Sequence, residues 1–159
     1  MSNSTAFVVS HLGVLKCGGI VTSASPSGSQ GLTTVLRKTA KIEPEHRFPA
    51  DLEHQLRDSK ASVVFTEESF LPRVILAVYE CSNVKKIICA RSWASSAALP
   101  EGVVDFKKLI AGPVTEVESQ NSSSDLAVLP YTDVLMRGTP TGVMLTHQNV
   151  STAADIYQT

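Results

Sequence analysis

Residues 63–89 read VVFTEESFLPRVILAVYECSNVKKIIC. Val63-Val64-Phe65-Thr66 is a short run rich in β-branched residues, and Val84 to Cys89, with Lys85 and Lys86 before Ile87-Ile88-Cys89, is a second candidate. Runs of this kind read as strands. Between them Leu71, Val74, Ile75 and Val78 recur at i, i+3, i+4 and i+7, which is one face of a helix. Pro72 suits the helix start, because a first-turn proline lacks only an N–H that the helix would not bond. Strand, helix and strand in so short a stretch fit a parallel pair joined by a right-handed crossover. The expected class is therefore α/β, a mostly parallel sheet flanked by helices.

The same rhythm extends in both directions. Phe7, Val8, His11, Leu12 and Leu15 share a helical face, with Asn3 or Ser4 as N-cap and Gly18-Gly19 as the stop. Ile20-Val21-Thr22 reads as a strand ending in the Ser25-Pro26 turn. A second helix is expected from about Pro49, with Phe48, Leu52 and Leu56 on its buried stripe. Downstream come a short helix over 106–110 capped by Asp105, a polar linker from Gly112 to Ser124, and a strand from Leu126 to Tyr131. A strand from Val143 to Thr146 and a helix from about Asn149 close the chain. Residues 27–47 break the pattern. They are rich in Ser, Gly, Thr and Lys, and only Leu32, Val35, Leu36 and Ile42 offer apolar surface. A connection of that length is long for an α/β unit, so a flexible surface insertion at 27–47 is expected.

Composition removes several function classes. The 159 residues carry 14 Lys plus Arg against 15 Asp plus Glu, a net charge of -1, so nothing marks a nucleic-acid partner or an anionic membrane surface. Hydrophobic residues at 43% and charged residues at 18% suit a packed chain of one domain. No apolar run approaches the roughly 20 residues of a transmembrane segment. The first ten residues lack the basic n-region of a secretory signal. Cys17, Cys81 and Cys89 show no C-x-x-C spacing, so neither a disulfide framework nor a zinc site is expected.

Other motifs are missing too. No G-x-G-x-x-G follows a strand, and there is no G-x-x-x-x-G-K-[ST] and no G-x-S-x-G. His11, His46, His54 and His147 have no metal-binding spacing, and His11 falls on the apolar stripe of the first helix. Asp51, Glu53 and Asp58 read as a solvated helix face. No catalytic residue and no metal ligand is assigned.

The chemistry-bearing stretch is residues 125–149, DLAVLPYTDVLMRGTPTGVMLTHQN. It resembles the adenylate-forming superfamily of acyl- and aryl-CoA ligases, luciferases and peptide-synthetase adenylation domains. There a strand leads into a loop of the form S-S-G-T-T-G-x-P-K-G and leaves it as V-x-L-T-H-x-N. The entry from Asp125 to Tyr131 and the exit Gly142-Val143-Met144-Leu145-Thr146-His147-x-Asn149 match. Upstream, Asn3-Ser4, Phe7, Leu12-Gly13-Val14-Leu15-Lys16 and Gly18-Gly19-Ile20 resemble the family's first block. Asp51-Leu52-x-x-Gln55-Leu56-x-Asp58-Ser59 resembles its E-L-x-x-Q-L-x-D-S helix, best in the 4-coumarate-CoA-ligase-like branch.

The resemblance implies a truncated, diverged part of the N-terminal AMP-binding domain over residues 1–159. For the parent family it implies ATP with magnesium, activation of a carboxylate substrate to an acyl-AMP, and transfer to coenzyme A. The cysteine pattern makes a reduced, intracellular setting the expectation, cytoplasmic or peroxisomal. The phosphate-binding positions the resemblance assigns are Thr132, Gly138, Thr139, Pro140, Thr141 and Gly142. In the family, small residues let backbone N–H groups wrap the phosphates while a lysine adds a cation. Here Thr141 stands at the lysine position, Val134, Leu135 and Met136 replace small polar residues, and Asp133 adds an anion. The loop from Thr132 to Thr139 is one residue longer than the family's. Arg137 is the cation inside it that could compensate. The expectation is a degenerate loop and no activity for this chain alone. Two other readings stand beside it, a non-enzymatic α/β interaction module and a weak nucleotide binder using Arg137. Exposed sheet edges and open apolar faces such as Val84 to Cys89 would lead to self-association.

Overall fold

The structure, a computed structural model, describes residues 4–24, 44–113, 116–118, 121–132 and 140–157. Among these the elements are α1 (Thr5–Lys16), α2 (Pro44–Asp58), β1 (Val63–Glu67), α3 (Leu71–Tyr79), β2 (Lys86–Ala90) and β3 (Val103–Asp105). They continue with α4 (Phe106–Ile110), β4 (Leu126–Val128), β5 (Leu145–Thr146) and α5 (His147–Tyr157). β1, β2 and β3 form a parallel sheet in that order, with Val63 opposite Lys86 and Ile87 opposite Val103. The α/β class read from residues 63–89 is the fold found. β4 and β5 form a separate antiparallel pair.

The core lies between this sheet and the α2–α3 layer. Leu52 and Leu56 of α2 meet Val74, Ala77 and Cys81, with Val64, Val84 and Ile87 packed against them. Ile88 and Cys89 are buried as well, so the β2 run is covered rather than open. Covering β2 on both faces is the usual condition of a central parallel strand. Burial pushes the Cys89 thiol above its ordinary pKa, helped by the Glu68 and Asp105 carboxylates and opposed by Arg91. The α4 N-cap is Asp105, whose side chain accepts from the Lys107 N–H.

Several boundaries move, each for a local reason. α2 begins at Pro44 rather than near Pro49, so residues 44–47 are helix and not part of an insertion. Pro44 has the same first-turn preference, and extending the helix back to it gains backbone bonds against the single one that Pro49 cannot make. The rest of the expected insertion, with Leu32, Val35, Leu36 and Ile42, lies outside the described residues. The strand expected over 20–22 is a single parallel bridge between Val21 and Val128. β4 stops at Val128 because Pro130 cannot donate to a ladder, and the pairing resumes as a bridge from Tyr131 to Gly142. The expected strand from Val143 shrinks to Leu145–Thr146. β3, three residues long after Gly102 with φ 81°, is too short for any periodicity to announce.

α1 ends as its glycines require. Gly18 takes φ 75°, and the Gly19 N–H returns to the Val14 carbonyl at 2.9 Å. The Asn121 amide donates to the Leu15 carbonyl at 2.7 Å, so the far end of the polar linker is anchored on this helix. The expected stripe of α1 divides: Phe7, His11 and Leu15 are half-buried, whereas Val8 and Leu12 are exposed.

Candidate functional site

The segment that carried the resemblance forms a closed loop base. Tyr131 bridges Gly142, the Thr132 N–H donates to the Thr141 carbonyl at 3.0 Å, and the Val143 N–H donates to the Pro130 carbonyl at 2.8 Å. The Thr141 N–H donates to the Thr132 hydroxyl at 3.1 Å. Gly142 is needed for this approach, since a Cβ there would lie 3.2 Å from both the Leu129 side chain and the Tyr131 ring. The base therefore brings Thr132, Pro140, Thr141 and Gly142 together. Arg137, Gly138 and Thr139 lie outside the described residues, as do Asp133 and Val134 to Met136.

α2 holds this base through two residues one helical turn apart. The Tyr131 hydroxyl donates to Asp58 at 2.5 Å, and His54 Nε2 donates to the Pro140 carbonyl at 3.2 Å. Burial pushes the Tyr131 phenol well above its ordinary pKa, reinforced by its hydrogen bond to Asp58 and by that carboxylate's charge. Asp58 was expected on a solvated face and His54 was given no role. Both lie one turn apart, at i and i+4, which was the only signal the sequence held. Glu53 of the same group pairs with Arg57 at 2.9 Å, the surface role foreseen for it. Replacing Tyr131 by phenylalanine deletes one charge-assisted bond at an exposed site. Urea unfolding is expected to show a loss of about 1 kcal/mol, and no change would place the anchor elsewhere.

Gln55 ties the base to the rest of the fold. It is buried, and its amide donates to the Thr22 hydroxyl at 2.7 Å and to the Ser23 carbonyl at 3.3 Å. Thr22 in turn donates to the Leu129 carbonyl at 2.7 Å. The Gln and Asp of the D-L-x-x-Q-L-x-D block thus both serve to fix the strand and loop that follow β4.

The exit motif has an equally plain reason. Thr146 and Asn149 cap the start of α5 reciprocally. The Asn149 N–H donates to the Thr146 hydroxyl at 3.2 Å, and Asn149 Oδ1 accepts from the Thr146 N–H at 2.9 Å. The next two helix N–H groups, of His147 and Gln148, donate to the Asp125 and Ser123 carbonyls at 3.0 and 2.9 Å. All the orphan donors of that turn are engaged inside the protein.

The parallel α/β sheet is thus joined to a closed loop base and a capped helix after it. The family model for AMP-binding enzyme matches residues 1–159, and the chain belongs to that family. It is 30% identical over 154 residues to 4-coumarate--CoA ligase 1 of Solanum tuberosum, which covers 96% of this chain and 23% of that protein. It is 28% identical to the long-chain-fatty-acid--CoA ligase of Bacillus subtilis (strain 168), over 94% of this chain and 27% of that protein. The fold matches the crystal structure of an anthranilate CoA ligase in complex with anthranoyl-AMP, with a TM-score of 0.74 at 21% identity, over 97% of this chain and 25% of that one. The chain thus spans about a quarter of the length of the relatives it matches. Among the described residues no helix is long and apolar enough to cross a membrane, and no cluster of ligands suited to a metal ion occurs.

Proposed function

We propose that this chain corresponds to the nucleotide-loop part of the N-terminal domain of an acyl- or aryl-CoA ligase, and that by itself it does not adenylate a carboxylate. In the parent reaction ATP and magnesium activate the carboxylate, and coenzyme A then takes the acyl group. The observation that carries the proposal is the loop base. Thr141 stands at the position where the resemblance calls for a cation, and its N–H is engaged with the Thr132 hydroxyl. Tyr131, Thr132, Pro140, Thr141 and Gly142 supply no positive charge for a triphosphate. The base by itself does not fit that group.

Each charged hydrogen bond lost is worth about 1.5–3 kcal/mol, which is roughly a 10- to 150-fold loss of affinity. Given ATP, magnesium and a panel of aromatic and fatty acids, the purified chain is expected to release no pyrophosphate above background. Acid-dependent release that vanishes on Arg137→Ala would overturn the proposal and make Arg137 the working cation.

A further inference from the structure

Three side chains of α2 reach the two stems of the loop base. His54 donates to the Pro140 carbonyl on the exit stem, and Asp58 accepts from the Tyr131 hydroxyl on the entry stem. Gln55 reaches the entry stem through Thr22, whose hydroxyl takes the Gln55 amide and donates to the Leu129 carbonyl. At about 100° per residue, positions 54, 55 and 58 fall within an arc of about 100° on the helix. Leu52 and Leu56 lie on the other side of it, packed into the core with Val74, Ala77 and Cys81.

The helix that carries these groups is itself fixed. Core packing of Leu52 and Leu56 sets its rotation. Asn83 ties its C-terminal end, where the side-chain amide donates to the Leu56 carbonyl at 3.0 Å and to the Ala61 carbonyl at 2.6 Å. Glu53, on the same helix, pairs with Arg57 and has no bond to either stem among the described residues. Between the stems, the Thr132 N–H and hydroxyl meet the Thr141 carbonyl and N–H. The grips on residues 129, 131 and 140 therefore set how the backbones at 132 and 141 face one another.

We infer that His54, Gln55 and Asp58 are positioning residues for phosphate at the loop base, acting from a helix that ends 73 residues before Tyr131. They act without touching the phosphate. They hold Tyr131-Thr132 and Pro140-Thr141 in the arrangement that presents position 141 to it, so the stems are not ordered at the expense of binding. This rests on the nucleotide-loop reading and adds the part of the fold that sets the loop's geometry. Charge separates positioning from a through-space effect. Asp58 is an anion, and deleting an anion near a phosphate site tightens binding by charge alone. Weaker binding on its deletion is therefore the mark of lost positioning.

The test is isothermal titration of ATP with magnesium into the full chain carrying Thr141→Lys, which supplies the cation that the loop base lacks. Adding Asp58→Ala is expected to weaken binding about three- to tenfold, the factor by which the held arrangement loses population. Adding His54→Ala, which deletes the other grip, is expected to act in the same direction. Asp58→Asn is expected to restore most of the affinity, because its amide oxygen still accepts from the Tyr131 hydroxyl. Combining Asp58→Ala with Tyr131→Phe is expected to add no further loss, since the two changes delete one bond. Glu53→Ala removes an anion and an ion pair from the same helix and is expected not to weaken binding. Affinity left unchanged or tightened by Asp58→Ala and His54→Ala would overturn the inference. An equal loss on Glu53→Ala would reduce the effect to helix stability and overturn it too, as would no binding by the Thr141→Lys chain. Failure of the nucleotide-loop reading is seen separately, as acid-dependent pyrophosphate release by the unsubstituted chain.

Discussion

Replacing Asp105 by alanine is expected to cost about 3–5 kcal/mol of stability, the largest single loss in the fold. Asp105 is 6% exposed at the end of β3 and faces Arg91, itself nearly buried. Arg91 Nη2 and Nε both donate to Asp105 Oδ2, at 2.6 and 2.9 Å. The other oxygen caps α4 by accepting from the Lys107 N–H at 3.0 Å. Removing the carboxylate therefore leaves a shielded guanidinium with the Ala97 carbonyl as its one remaining partner among the described residues, and it strips the helix of its cap. Burial by itself would raise the Asp105 pKa. The Arg91 hydrogen bonds, the Lys107 N–H and both cations outweigh it, so the carboxyl titrates below the ordinary aspartate value of 3.8. The sign follows from linkage. A folded-state pKa below the unfolded one gives stability that is complete above the unfolded value and lost as pH falls through the folded one. Urea midpoints should thus be flat through neutral pH and fall below about pH 4 in the native chain, and the fall attributable to this carboxyl should be absent in Asp105→Asn. A stability loss under 1 kcal/mol for Asp105→Ala would show that Arg91 finds other partners.

Thr141→Lys is expected to strengthen ATP binding by about 10- to 150-fold, the range of one charge-assisted hydrogen bond. Thr141 follows Pro140, whose carbonyl is held by His54, and precedes Gly142, whose approach to Tyr131 closes the loop base. The substituted side chain is therefore presented from a fixed backbone. The bonds that tie Thr141 to Thr132 run through the Thr141 backbone, so they survive this change. Isothermal titration with ATP and magnesium on both forms measures the gain. An affinity unchanged by the lysine would show that the hydrophobic residues Val134 to Met136, or the anion at Asp133, exclude phosphate whatever stands at position 141.

These two sites differ in how visible they were. Thr141 was singled out by the family resemblance, which rests on the motifs before and after the loop. Those motifs are written along the chain, and Thr146 and Asn149 cap α5 from within four residues. Arg91 and Asp105 were half seen. The cap of α4 was legible from Asp105 preceding Phe106, but the pairing with Arg91 depends on β2 and β3 lying side by side, and β3 was too short to read.

Local pattern by itself determined the α/β class, the crossover over residues 63–89 and the glycine stop after α1. Side-chain periods of 2 and 3.6 and the φ limits of Gly and Pro act over a few residues, so one dimension suffices to express them. Tertiary structure alone decided that Asp58 and His54 hold the loop base, that Gln55 reaches Thr22, and that β4 and β5 form their own pair. Those contacts join residues tens of positions apart. Their partners are chosen by which edges and faces meet once the helices have packed, and no period along the chain records that choice.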